Sequence, residues 1–438
     1  MAAPVPTKDR LSSGVPASAI RPVVDAAAVQ RRTLRALIAV QILAGLGVAT
    51  GIAVGALLAT RLLGSADLAG LVQSAQVLGS ALLAIPAAGL SSRLGRRAGL
   101  TAALTIGACG GALAVTGVQL QEFWLLAVGM GLSGGGTTAT LQARFSAIDL
   151  ARPERRGQTL SVVVWATAIG AVTGPNLVGA GGRFGEFVGV EPLAGPLLIG
   201  TSAMLLAAVI AWFGLRPDPL VLARQLAGSS TGDAPGGSSP RSGLSVIRRS
   251  PLARIGFAAV LVGNTVMVTV MVMTPIHMHH GHASLTIIGV AISVHVSGMF
   301  AFTPVMGWLA DRFGRFAVIN AGALVLLAAT WLAGTAPHGH SATLTAGLFL
   351  LGLGWSALMV AGSTLLSESA TVDERPIVQG TSDLLMGLAA AGGGALAGFI
   401  MGQFGYGALN LAAAALVLPL LAAAMQARCV AWPQTGRS

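Results

Sequence analysis

Gly307-Trp-Leu-Ala-Asp-Arg-Phe-Gly-Arg315 closes the apolar run 285–308, and Gly89-Leu-Ser-Ser-Arg-Leu-Gly-Arg-Arg97 closes the run 68–90. Arg93, Gly95 and Arg96 align with Arg312, Gly314 and Arg315 at an offset of 219 residues. Gly129-Met-Gly131 and Gly157 align with Gly352-Leu-Gly354 and Gly380 at an offset of 223. Signatures that return at so constant a spacing point to a chain built from two copies of one unit, as in transporters with parallel internal repeats.

The surrounding sequence says what the unit is. A helix that crosses a bilayer needs about 20 mostly apolar residues. Twelve such runs occur: 36–58, 68–90, 99–118, 123–143, 159–182, 194–213, 255–276, 285–308, 317–335, 343–365, 380–403 and 407–427. Hydrophobic residues make up 54% of the 438 and charged residues only 9%. A soluble domain carries about 25% charged residues, and disorder needs low hydrophobicity with high charge, so both classes are excluded. The expected fold is an all-α polytopic membrane protein of twelve transmembrane helices, two parallel six-helix repeats. Its parts are a disordered tail 1–35, a first bundle 36–215, a Gly/Ser/Pro-rich flexible linker 216–250, a second bundle 251–428 and a tail 429–438.

The net charge of +11 has a positional explanation. With the N-terminus in the cytoplasm, the basic residues of the tail, Arg93, Arg96, Arg97, the cluster at 152–156, the linker, Arg312, Arg315 and Arg375 all fall inside. Only Arg61 and Arg183 fall outside. This is the inside-positive bias of membrane proteins, and it accounts for the charge without nucleic acid. Residues 1–35 lack a signal peptide's apolar core. Both termini are therefore expected in the cytoplasm. Cys109 and Cys429 make neither a disulfide framework nor a thiolate cluster.

The motif Gly-x3-Asp-Arg-x-Gly-Arg is complete in Gly307, Asp311, Arg312, Gly314 and Arg315; in the first copy Ala88 and Ser92 replace the Gly and the Asp. In these residues the chain resembles the major facilitator superfamily. The resemblance implies two rocking halves latched on the cytoplasmic side through that acidic position, which Ser92 removes from one half. Gly170-Ala-Val-Thr-Gly174-Pro175-Asn-Leu-Val-Gly179 is similar to a helix-five motif of the antiporter branch, with Val178 in place of one glycine. Such glycines also serve close helix packing, and Pro175 a bend.

The sequence puts no charged residue near the middle of any apolar run; Arg144, Glu368 and Asp383 fall near helix ends. Histidine and methionine stand out instead. His277, Met278, His279, His280 and His282 lie in a stretch read as an outer loop, with His338 and His340 in another, while His295 is mid-helix. Met267 and Met271 are four residues apart in the seventh helix, as are His295 and Met299 in the eighth. Counted from Arg254 and Arg312, Met267 and Met299 share a depth of roughly 20 Å, and Met271 and His295 a level about 6 Å further out. Thioether and imidazole donors without hard oxygens suit Cu(I) and disfavour Mg²⁺, Ca²⁺ and Mn²⁺; zinc would call for Cys, His or carboxylate.

Met-x3-Met followed by His-x3-Met resembles the CcoA-like copper importers of bacteria, and the likeness falls on Met267, Met271, His295 and Met299. It implies secondary active copper transport across the bacterial cytoplasmic membrane; the placement of the outer histidines reads as a capture site fed from outside, a polarity that points to import. Copper is then cargo; no resident cofactor and a monomer are expected. That group also has relatives tied to riboflavin uptake. A riboflavin-type importer and a proton-coupled drug or metabolite antiporter therefore stand as alternatives. The chain has no HExxH and no Ser–His–Asp set at one depth, so an enzyme is not expected.

Overall fold

The structure, a computed structural model, describes residues 25–63, 69–228, 240–282, 285–337 and 341–431. Its described residues form helices and turns. In chain order the helices are α1 (Ala26–Leu63), α2 (Ala69–Leu94), α3 (Arg96–Gln119), α4 (Phe123–Ser146), α5 (Arg156–Asn176), α6 (Val178–Phe187), α7 (Gly195–Gly214), α8 (Pro219–Leu226), α9 (Pro240–Arg249), α10 (Pro251–His280), α11 (Leu285–Phe300), α12 (Thr303–Phe313), α13 (Arg315–Gly334), α14 (Ala342–Glu368) and α15 (Arg375–Ala431). Runs this apolar have no water to satisfy their peptide groups in a bilayer, so each closes its own hydrogen bonds as a helix.

Among the described residues, ten stretches are long and apolar enough to cross a membrane. Glycine-rich α4, 24 residues long, lies between α3 and α2 as an eleventh. At φ 82° Gly405 divides α15 into two arms, completing twelve. Large apolar side chains such as Trp124, Trp331 and Leu411 stand exposed on the outside of the bundle, as a lipid-facing surface allows.

Three boundaries differ from expectation. The first helix begins at Ala26, inside the expected tail, and residues 1–24 lie outside the described set. The last helix continues to Ala431, with 432–438 outside that set. The linker, read from its composition as flexible, carries α8 and α9, with 229–239 outside the described residues. Asp218 caps α8 by accepting from Leu220 N at 3.0 Å and Val221 N at 3.2 Å, a local signal that composition hides.

In the first half, α1 packs on α5 and α7, and α3 lies between α4 and α7. A side chain on Gly135 would collide with Ala103 O, so α3 and α4 touch backbone to backbone. In the second half, α10 packs on α14 and α15, α13 on both of these, and α11 on α14. Between the halves, α2 crosses α15 and α5 crosses α12. These crossings run through Ala84, Ala88 and Gly380, and through Gly157, Ser161 and Gly307. They lie toward the end of the bundle that carries the two arginine-rich loops, hereafter the basic end.

Candidate transport site and its gate

Side chains from five helices meet where the halves adjoin. Val260 of α10, Trp355 and Met359 of α14 and Met386 of α15 are buried together. Met267 of α10, Met299 and Phe300 of α11 and Leu141 of α4 pack against them. Trp355 Nε1 donates to Asn264 Oδ1 at 3.2 Å, and the Phe300 ring meets Trp355 edge-on with centroids 5.8 Å apart. A Cβ at Gly352 would sit 2.7 Å from Met299 N and closer still to His295 O. Only a bare Cα therefore lets α11 lie this near α14, and the contact seats both His295 and Met299 against α14.

His295 is 2% exposed. Its Nδ1 lies 2.8 Å from Leu348 O. A carbonyl can only accept, so Nδ1 carries the proton and the neutral ring keeps its lone pair on Nε2. That Nε2 is buried and has no hydrogen-bond partner among the described residues. Metal-binding histidines are held this way, with one nitrogen fixed by a carbonyl and the other turned free. Of the four expected ligands, Met267 and Met299 reach the Trp355 cluster, His295 lies one turn from Met299, and Met271 packs in the apolar core of the second half. Met359 and Met386 were missed because neither has a partner at i+4. The one clue was that ten of the 13 methionines lie in the second half.

The outer histidines need correction. Helix α10 runs on through Pro275 to His280, so this stretch is a helix end rather than a loop. At 100° per residue, consecutive side chains leave in different directions. His277 and Met278 are buried, and the His277 ring stacks on Tyr406 at 4.1 Å, whereas His279, His280 and His282 are exposed. No three His, Cys, Asp or Glu side chains among the described residues converge to hold a metal ion. His338 and His340 lie outside the described residues.

Toward the basic end, Arg144 Nη2 of α4 donates to Asp383 Oδ1 of α15 at 2.7 Å, both side chains almost fully buried. Arg144 Nη1 also donates to Met359 Sδ. The interior of the bundle therefore holds a carboxylate, although the sequence puts none near the middle of an apolar run. Position near a helix end concealed a pair that only the meeting of the halves buries.

A second layer clasps the halves further out. Asp311 accepts from Gly157 N at 2.9 Å and Gln158 N at 2.8 Å, the open first turn of α5. Arg315 lies 3.1 Å from Asp311, 2.9 Å from Glu368, and donates to Pro153 O at 3.2 Å. The two loop copies fold alike: Gly95 and Gly314 have φ of 93° and 90°, and Arg93 and Arg312 are exposed. Such positive φ is the reason for glycine at both places. Arg96 pairs with Asp149 at 2.7 Å, and Arg375 approaches the same carboxylate at 3.8 Å.

Where Ser92 removes the acid, the linker supplies charge. Asp218 accepts from Arg97 N at 2.8 Å. Arg224 donates to Ser92 O at 2.8 Å and reaches Asp373 of the other half at 2.6 Å. In the helix-five motif, Gly170 and Gly174 abut α1 at Leu46 and Ala49, while nothing lies within 4 Å of a Cβ at Gly179. The first two are packing positions, and α5 ends just after Pro175, at Asn176.

Twelve crossing helices in two pseudo-repeated halves, joined across a charged gate, define a multi-pass membrane transporter. The family profile described as Major Facilitator Superfamily matches residues 37–282 and 255–428. The chain belongs to the major facilitator superfamily. It is 37% identical over 392 residues to YdeG of Bacillus subtilis, an uncharacterized MFS-type transporter, covering 89% of this chain and 90% of YdeG. It is 26% identical over 374 residues to the riboflavin transporter RfnT of Brucella anthropi, covering 85% and 88%. The crystal structure of the human organic anion transporter MFSD10 superposes with a TM-score of 0.68 at 17% identity, covering 90% of this chain and 99% of that one. The last likeness is one of fold.

Proposed function

We propose that this chain is a secondary active importer of copper, taken as Cu(I), with the basic end in the cytoplasm. One observation carries the assignment: His295, buried with its Nε2 bare and its Nδ1 tied to Leu348 O, one turn from Met299 in a methionine-lined junction. An unpaired buried nitrogen is costly, and a soft cation offsets that cost as no nearby group does. The import direction rests on the likeness to the copper importers, and the orientation on the arginine-rich loops. Asp383 supplies a carboxylate able to take up a proton and loosen its hold on Arg144, which gives the gate a means of coupling.

Uptake of a riboflavin-type nutrient is the second reading. RfnT supports it, as does the Trp355–Phe300 wall with Asn264 beside it, a surface suited to a flat ring. The deciding experiment measures radioactive copper and riboflavin uptake into cells making equal membrane amounts of the native, His295→Ala and Met299→Leu proteins. Copper uptake that both substitutions reduce about tenfold or more supports the first reading. Copper uptake indifferent to both, or riboflavin uptake in its place, overturns it.

A further inference from the structure

Two buried methionines, Met359 and Met386, have no part in the ligand set above. Both lie between it and the gate. Met359 is nine residues from the basic end of α14, and Met386 eleven from that of α15. At 1.5 Å per residue they sit roughly 14–17 Å in, against roughly 24 Å for Met267, counted from the start of α10, and roughly 21 Å for Met299, counted from the end of α12. The four thioethers thus descend in two steps toward the Arg144–Asp383 pair, within one packed cluster.

The lower step is occupied. Arg144 Nη1 donates to Met359 Sδ, so the guanidinium uses a sulfur lone pair that a metal ion would need. It also places a positive charge where a cation would sit. Arg144 belongs to the first half, whereas Met359, Met386 and Asp383 belong to the second. When the halves part at the basic end, Arg144 must leave Met359 and Asp383 together.

We propose that Met359 and Met386 form a second, inner site for a soft monovalent cation, which Arg144 keeps shut until the halves part at the basic end. The inference rests on the copper reading and adds to it a release station and its lock. Asp383 Oδ2 is buried without a partner among the described residues, so a carboxylate stands ready beside the site as the guanidinium withdraws. One monovalent cation then replaces another next to Asp383, and the buried charge stays balanced. A divalent ion would leave an excess positive charge there, so the lock also selects for charge.

Ag(I), a redox-inert stand-in for Cu(I), tests this on the purified full-length protein in detergent, with Cys109 and Cys429, whose thiols would themselves take up the ion, replaced by serine throughout. The native protein should bind one equivalent, lost in His295→Ala. Arg144→Gln should bind two, and Met359→Leu in that background should return it to one. As a check that does not disturb the ion pair, the Met359→Leu/Met386→Leu protein should keep one equivalent yet import copper about tenfold more slowly. An Arg144→Gln protein that is monodisperse and still binds one equivalent overturns the inner site and leaves the copper reading standing. So does unchanged import by the double methionine variant. No Ag(I) binding by the native protein overturns both.

Discussion

Replacing Asp311 with asparagine should unlatch the basic end. Its carboxylate caps α5 through two charge-assisted bonds, from Gly157 N at 2.9 Å and Gln158 N at 2.8 Å, and faces Arg315 at 3.1 Å. Asparagine keeps the shape but offers one acceptor oxygen and no charge. Losing one bond to a charged group costs about 1.5–3 kcal/mol. Arg315 stands on the same half as Asp311, so its attraction is present in both forms and cancels from the difference. The closed form therefore loses about 2 kcal/mol relative to the open one. At about 1.4 kcal/mol per factor of ten, their ratio shifts roughly 30-fold. The assay is electron–electron double resonance on reconstituted protein with Cys109 and Cys429 replaced by serine and spin labels at positions 154 and 252, one in each half. The Asp311→Asn protein should gain a longer-distance component, and Asp311→Ala a larger one. Distance distributions identical to the native protein's in both variants would refute the clasp as the element that holds this end closed.

The same measurement applies to the linker. Arg224→Gln and Asp373→Asn should each shift the ratio of closed to open forms in the same direction by about fivefold, the size expected of a partly exposed pair, and the double variant no further than either single one. Restoration by the exchange Arg224→Asp/Asp373→Arg is expected, and additive effects would count against the pairing. Packing is tested by thermal unfolding in detergent: a Cβ at Gly79 would fall on Gly131 O, so Gly79→Ala should cost about 1–3 kcal/mol. Gly179→Ala, with nothing within 4 Å of its Cβ, should leave the melting temperature unchanged or slightly raised.

Much of the molecule is legible along the chain because a bilayer imposes length and polarity one segment at a time. Apolar runs of crossing length, the arginines that border them and the glycines at positions 95 and 314 are local properties, and each reappears in the structure as a helix or a tight turn. The depth match of Met267 with Met299 was also legible, since rise per residue is constant in a helix, and these two do meet on one cluster. Rotation of each helix about its own axis and the face it turns to a neighbour were not legible. Along the chain nothing separates His277, which stacks on Tyr406, from its exposed neighbours, or sets Met359 and Met386 apart from packing residues. Arg144 and Asp383, 239 residues apart, become a buried pair only because α4 and α15 come from opposite halves and converge. Likewise, the charge that Ser92 lacks comes from Asp218 and Arg224, which composition had assigned to a flexible linker. Membrane solvation acts on every segment separately, so the twelve apolar helices and their repeat can be read locally along the chain. Which side chains meet at the junction of the halves depends on how distant helices turn and pack against one another, and only the folded molecule brings them together.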